Sequence, residues 1–330
     1  MTQSSVKHTV ARESFAHGTK LPLNLHTLWL VVKRASQAVS GGMALLGEYI
    51  LQACNWYRSR TGKDRVSVLS VVLAVVLLML PSDYVVEGAG PALDVLGTVS
   101  ADSKQQIIEI AGLASTSAKP QSDTHHTQGK LLMTTVNSYG VGSTLPNAFV
   151  LVNAAIPSRG VLPREAVIAP NQTTQDFEQE STQAMSNAQN TAQQVALQFA
   201  KQHHIDTTGV QISMHIDDIG GPSAGMMYTL GVLQKLSQRD LTGGATIAGT
   251  GTIEQDGTVG AIGGIRFKML GAKQEGATWF LAPDANCDDV VGHVPHGMRD
   301  VAVHTIDDAY NALIAIGQGK ADSLPHCVVK

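Results

Sequence analysis

The chain has 330 residues, 43% of them hydrophobic and only 15% charged, which allows one large or two modest domains with a substantial core. The net charge of −4 is unevenly spread: residues 1–65 carry nine Lys or Arg against three acids, leaving the remainder at about −10. An acidic bulk of this kind excludes nucleic-acid binding as the main function, because that needs a basic face.

Within the basic segment 1–65, two apolar runs at 28–32 and 43–53 are interrupted by charge and too short for a bilayer. They read either as amphipathic pieces on a membrane surface or as a tail without fixed structure. Residues 66–80 then run fifteen positions without a charge, after Arg58, Arg60, Lys63 and Arg65 and before Pro81. A membrane helix takes about twenty residues, and Tyr84-Val85-Val86 can extend the run. A buried core helix is the plain alternative. The positive cluster on one side predicts instead a single transmembrane helix over 66–86, with 1–65 cytoplasmic and the rest of the chain outside. The long leading segment favours an uncleaved anchor over a signal peptide ending near Gly88-Ala89-Gly90.

Residues 87–129 read as an extracytoplasmic linker whose Ser-, Thr-, Gln- and His-rich part, 114–128, is a flexible loop. A helix is predicted over 181–202, apolar at Ala184, Ala188, Ala192, Val195 and Phe199, and His203-His204-Ile205 leads directly to a strand at Val210. That strand, alternating through Ile216, is followed by Asp217-Asp218-Ile219-Gly220-Gly221-Pro222-Ser223-Ala224-Gly225 and a helix apolar at Met226, Leu230 and Leu233. Ser223 therefore sits where a strand turns into a helix, beside unpaired backbone N–H groups able to bind an oxyanion. The competing reading makes Ser223 a simple helix N-cap.

Forty-five residues further on, Gly263-Gly264-Ile265-Arg266-Phe267-Lys268 opens another helix, in which Ile265, Met269 and Ala272 form an apolar stripe bordered by Lys268. A lysine removed from water is easier to deprotonate and can take a serine proton without any histidine. Its competing reading is a snorkelling side chain. Strands are predicted over 277–282 and 301–306, with Asp307-Asp308 capping a last helix through Ile316. The whole is a mixed α/β or α+β layered domain.

Cys287 and Cys327 can pair if they are close, whereas Cys54 falls on the other side of the expected membrane. The adjacent pairs His125-His126 and His203-His204 lack metal-ligand spacing, so no metal is expected. No nucleotide cofactor is expected either: there is no phosphate-loop sequence, and Gly249-Thr250-Gly251 lacks the third glycine of a dinucleotide loop.

Gly221-Pro222-Ser223-Ala224-Gly225, followed by Ile262-Gly263-Gly264-Ile265 and Lys268, resembles the proteolytic domain of the Lon family of serine proteases (peptidase S16). Leu241-Thr242-Gly243-Gly244, then 247–253, which resembles the family's strand with its Thr-Gly step at Thr250-Gly251, and Gly257-Thr258-Val259-Gly260 agree with that family in order and spacing. The stretches 81–99, 131–136 and 163–167 further resemble the membrane-anchored, PDZ-containing Lon-like proteases of Gram-positive bacteria. The resemblance implies a Lon-type proteolytic fold over 130–330, Ser223 as nucleophile, Lys268 as general base and Thr250 as a neighbour bonded to the dyad. Thr250 is otherwise an ordinary strand former. Asn286-Cys287 also matches the family's text, with no chemistry attached.

Those relatives carry a PDZ domain between the polar helix and the serine strand, and here the two join directly. The expectation is a membrane-anchored, ATP-independent endopeptidase acting on unfolded or flexible polypeptides outside the cytoplasm. Self-association is implied by resemblance alone. Two alternatives stay open: an inactive anchored scaffold with the protease fold, and an esterase in which Gly221-Pro222-Ser223-Ala224-Gly225 is a nucleophile elbow served by Asp284 and His304.

Overall fold

The structure is a computed structural model that describes residues 48–49, 51–100, 102–112, 129–216 and 219–329. The apolar run at 28–32, the start of that at 43–53, the polar loop at 114–128 and Asp217-Asp218 lie outside those residues. Contacts divide the chain into two units, Met1–Val75 and Val76–Lys330.

Helix α1, Gly62–Met79, begins in the first unit, where the Thr61 hydroxyl donates to Asp64 at 2.8 Å. None of its side chains is buried, and Val66 and Leu73 are 65% and 58% exposed. At about 1.5 Å per residue, its charge-free part spans about 21 Å, against about 30 Å of bilayer hydrocarbon. Among the described residues no helix is long and apolar enough to cross a membrane. The expected extension through Tyr84-Val85-Val86 is overturned: the helix stops before Pro81, and Val85 and Val86 are fully buried in a strand.

The second unit continues with strands β1 (Pro81–Ser82), β2 (Tyr84–Asp94), β3 (Ile108–Ala111), β4 (Lys130–Tyr139) and β5 (Leu145–Pro146). Helix α2 (Asn147–Ala154), β6 (Arg159–Pro163), helix α3 (Thr174–Gln202), β7 (Gln211–Met214) and helix α4 (Gly225–Ser237) follow. Then come β8 (Thr246–Gly249), β9 (Thr252–Ile253), β10 (Val259–Gly260), helix α5 (Ile265–Gln274) and β11 (Trp279–Pro283). Helix α6 (Cys287–Val290), β12 (Arg299–Val303) and helix α7 (Ile306–Gly317) complete the order.

Six strands form one mixed sheet in the order β12-β11-β8-β4-β2-β6. The first four run parallel, and β2 pairs antiparallel with both β4 and β6. The sheet thus recruits 84–94, which the sequence reading divided between anchor and linker. Its residues alternate between two cores, as the period-two geometry of a strand requires. Leu131, Met133, Ile247 and Leu281 face a core shared with α3, α4 and α7. Leu132, Ala248, Phe280 and Ala282 face a second core with Ile265, Met269 and Ala272 of α5. The helix that follows the serine and the helix that carries the lysine therefore cover opposite faces.

Several sequence expectations shift. α3 starts at Thr174, because Thr173 and Asp176 form a capping box. It joins β7 through 203–210, so no domain is inserted there. Among the described residues β7 pairs with β3 alone, in a ribbon apart from the main sheet. Ile306 belongs to α7 rather than to a strand, because Thr305 and Asp308 form the cap. Cys287 and Cys327 form a disulfide with Cα atoms 4.9 Å apart, and the Cys327 N–H donates to Asp300 Oδ2 at 2.7 Å.

The lysine helix lies close on β2. A Cβ on Gly271 would stand 2.3 Å from the Gly90 carbonyl oxygen, beside the irregularity in β2 where pairing with β4 shifts between Ala89 and Ala92. Gly271→Ala should therefore push α5 off the sheet. The expected cost is about 1–3 kcal/mol, read from urea unfolding of the variant beside the parent.

Candidate active site

Beyond β7 the chain turns through 219–224 into α4. The N-cap of α4 is Ala224, and no side chain caps it. The hydroxyl of Ser223 is therefore not a helix cap. Its backbone carbonyl accepts two hydrogen bonds, from the Gly251 N–H at 2.8 Å and from Thr250 Oγ1 at 3.0 Å. The Met226 N–H in turn donates to the Gly251 carbonyl at 3.1 Å, and the Gly221 N–H to the Ser181 carbonyl of α3 at 2.8 Å. The serine segment is stitched to the chain just beyond β8 on one side and to α3 on the other.

Thr250 does not lie within a strand. The expected continuous strand breaks after Gly249, and Thr250 occupies the break with none of its surface exposed. Its position past the carboxyl end of β8 is the place where open parallel sheets bind ligands.

From the opposite face, α5 begins after Gly264, whose φ of 68° puts it in the left-handed region that favours glycine. A Cβ there would also stand 2.8 Å from Val136. The Lys268 N–H donates to the Gly264 carbonyl at 3.1 Å, which fixes the lysine in the first turn. Only 4% exposed, Lys268 does not snorkel. Its Nζ donates to Ser223 Oγ at 2.7 Å and to Thr250 Oγ1 at 3.0 Å. A side chain with four methylenes reaches around the end of β8 from one face to meet the serine on the other.

Burial lowers the Lys268 pKa to about 8, and the charge of Glu87 on β2 acts in the opposite direction. Glu87 is itself pushed above the usual carboxylate range by burial, against the opposing effects of a Ser138 hydrogen bond and the Lys268 charge. The amine thus approaches the range where a neutral form is available near physiological pH.

A cleft of about 380 Å³ opens on this pair. Met133 and Met185 lend it apolar walls, Glu87 and Lys268 its two charged groups, and β4 contributes Thr134 through Asn137. β8 pairs with β4 only as far as Met133, so among the described residues no strand covers that edge of β4 beyond it. The structure brings Ser223, Lys268 and Thr250 together.

Asp284 and His304 are also together, at 3.3 Å, but neither lines this cleft, and the bond to Ser223 Oγ comes from Lys268. The esterase arrangement is therefore absent from the site. Among the described residues no group of three His, Cys, Asp or Glu is placed to hold a metal.

Asn286 is a residue whose contribution the sequence reading did not find. It is 6% exposed; its Oδ1 accepts the Ile262 N–H and its Nδ2 donates to the Ile262 carbonyl, both at 2.9 Å. One amide thus clamps the loop entering the lysine helix from both sides, and the neighbouring Cys287 anchors the clamp through the disulfide. An Asn before a Cys carries no such signal in sequence.

Residues 161–315 match the family described as the Lon protease (S16) C-terminal proteolytic domain. The chain is 36% identical over 102 residues to a Lon protease of Clostridioides difficile, which covers 30% of this chain and 13% of that protein. It is 34% identical over 142 residues to Lon protease 2 of Herpetosiphon aurantiacus, covering 40% and 16%. A mitochondrial Lon protease homolog of Eremothecium gossypii is 36% identical over 96 residues, covering 28% and 9%. The matched part is thus a small fraction of each relative's length.

Lysine in an unfolded chain keeps its proton to about pH 10.4. Between about 8 and that value the unfolded state binds more protons, so the contribution of Lys268 makes the fold more stable as pH rises through this window. Lys268→Met removes the buried ammonium while filling similar space. It should raise the unfolding free energy at pH 7 by about 1–3 kcal/mol and abolish this part of the rise, as measured by urea unfolding at pH 7 and pH 10.

Proposed function

We propose that the chain is a serine endopeptidase working through a Ser223–Lys268 dyad, a reading supported by the match of residues 161–315 to the Lon protease (S16) C-terminal proteolytic domain. The observation that carries this reading is the 2.7 Å contact between Lys268 Nζ and Ser223 Oγ, made by a lysine almost wholly removed from water. In its neutral form Lys268 takes the Ser223 proton as Oγ attacks a peptide carbonyl. N–H groups at the head of α4, those of Ser223 and Ala224, receive the oxyanion. Lys268 then gives the proton to the leaving amine, and water hydrolyses the acyl-serine by the same exchange. Thr250 holds the amine in line through its hydroxyl.

The free edge of β4 gives an extended polypeptide a backbone to pair with, which suits unfolded or flexible segments as substrates. No phosphate-loop sequence is present, and the proposed reaction requires no ATP and no metal. In this reading the apolar run of α1 anchors the protein in a membrane, its short span met by local thinning of the bilayer and by snorkelling of Arg58, Arg60, Lys63 and Arg65. The protease domain lies outside the cytoplasm, and the Cys287–Cys327 disulfide supports an oxidising compartment. Self-association into a ring is part of the same proposal.

The full chain should cleave casein without ATP, and Ser223→Ala and Lys268→Ala should each abolish cleavage; a folded but inert parent would sink the proposal. The rate should rise with pH through about 8 as Lys268 loses its proton. Glu87→Gln removes a charge that favours the ammonium, so the rising limb should move to lower pH.

A further inference from the structure

Helix α2 is unlike an ordinary surface helix. The whole stretch 141–158 lacks Asp, Glu, Lys and Arg, and of α2 only Val150 and Asn153 are buried. Leu151 and Val152 are 60% and 65% exposed, and Phe149 and Ile156 each 39%. A helix at a water surface normally turns a polar face outward. Here the outward face is apolar, and an apolar patch of this kind marks a contact.

What covers it is indicated by where α2 is fastened. The Asn147 N–H donates to the Leu80 carbonyl and Asn147 Nδ2 to the Leu77 carbonyl, both at 3.0 Å. β1 and β5 pair beside them, Ser82 against Leu145. The start of α2 is thus joined to the end of α1, where Leu77, Met79 and Leu80 are 51%, 64% and 45% exposed. On another side, Tyr139 meets Phe149 edge-on at 6.4 Å, and the Arg159 guanidinium lies over the Tyr139 ring at 5.5 Å. A tyrosine with an arginine at the border of an apolar face suits the boundary between hydrocarbon and headgroups.

We propose that α2 lies in the interfacial layer of a lipid bilayer, with Phe149, Leu151 and Val152 among the acyl chains, and so seats the protease domain on the membrane. The proposal rests on the membrane reading of α1. It adds a second contact, which holds the domain at the membrane surface rather than leaving it to swing on a tether. An apolar face of this size sinks about 5–10 Å into the headgroup boundary.

The test uses the full chain with Cys54→Ser, since Cys54 is the free thiol. Val152→Cys in that background is labelled with an environment-sensitive nitrobenzoxadiazole dye and reconstituted into phosphatidylcholine–phosphatidylglycerol vesicles containing doxyl-labelled lipid. A blue shift and strong quenching are expected at Val152, with neither at a control dye on Gln318→Cys at the end of α7. Protein that floats with the vesicles but shows no more quenching at 152 than at 318 overturns the proposal and leaves the anchor standing. A blue shift in detergent without vesicles that grows with protein concentration overturns it in favour of a second copy of the chain. Failure to float removes the membrane reading and this proposal together, while casein cleavage reports separately on the dyad.

Discussion

A lysine amine held away from water beside a serine hydroxyl is the interaction on which the site depends. An ammonium in such a place loses hydration, and among the described residues two hydroxyls replace it directly, those of Ser223 and Thr250. Burial wins over the counter-charge of Glu87, since the net shift is downward to about 8. Were the attraction of Glu87 larger, Lys268 would be a plain ion-pair partner with its proton locked in place. The half-buried position of Glu87, its own pKa raised by desolvation, keeps that attraction secondary.

The sheet makes the meeting possible. Helices α4 and α5 cover opposite faces, so the serine and the lysine can touch only past the end of a strand, and β8 ends at Gly249. Three local features set the reach. Gly271 lets α5 sit against the β2 backbone, Gly264 turns the chain sharply into α5, and Asn286 fixes the preceding loop. On the other face, the bonds from Gly251 and Thr250 to the Ser223 carbonyl hold the serine backbone at the same strand end. The proposed chemistry thus rests on two side chains, and the geometry on backbone contacts from several elements.

Ser223 and Lys268, which the fold brings into contact, stood out in sequence because their local patterns are short and self-contained: a serine among small residues before an apolar helix, and a lysine at a fixed offset in another. The resemblance that joined them reached as far as Thr250, although the strand assigned to that residue was broken in the structure. The clamp by Asn286 was not legible, since its partner Ile262 is 24 residues away and only folding brings them together. Periodicity also misled at the start of the domain. Val85 and Val86 read as the tail of an apolar helix because a buried central strand and a buried helix share the same composition, and only the pairing of β2 with β4 and β6 separates them. The cap at Thr305 was missed for a smaller reason, since a neighbouring Asp pair carried the same signal.

The central claim is that Lys268 is an amine poised to lose its proton beside Ser223. The most direct measurement is a titration of the Lys268 side chain by NMR in protein labelled with nitrogen-15 lysine, assigned by comparison with Lys268→Met. The account predicts an apparent pKa of about 8. A value near the ordinary lysine pKa of about 10.4 would contradict it, because the amine would then stay charged at every pH where the fold is expected to work.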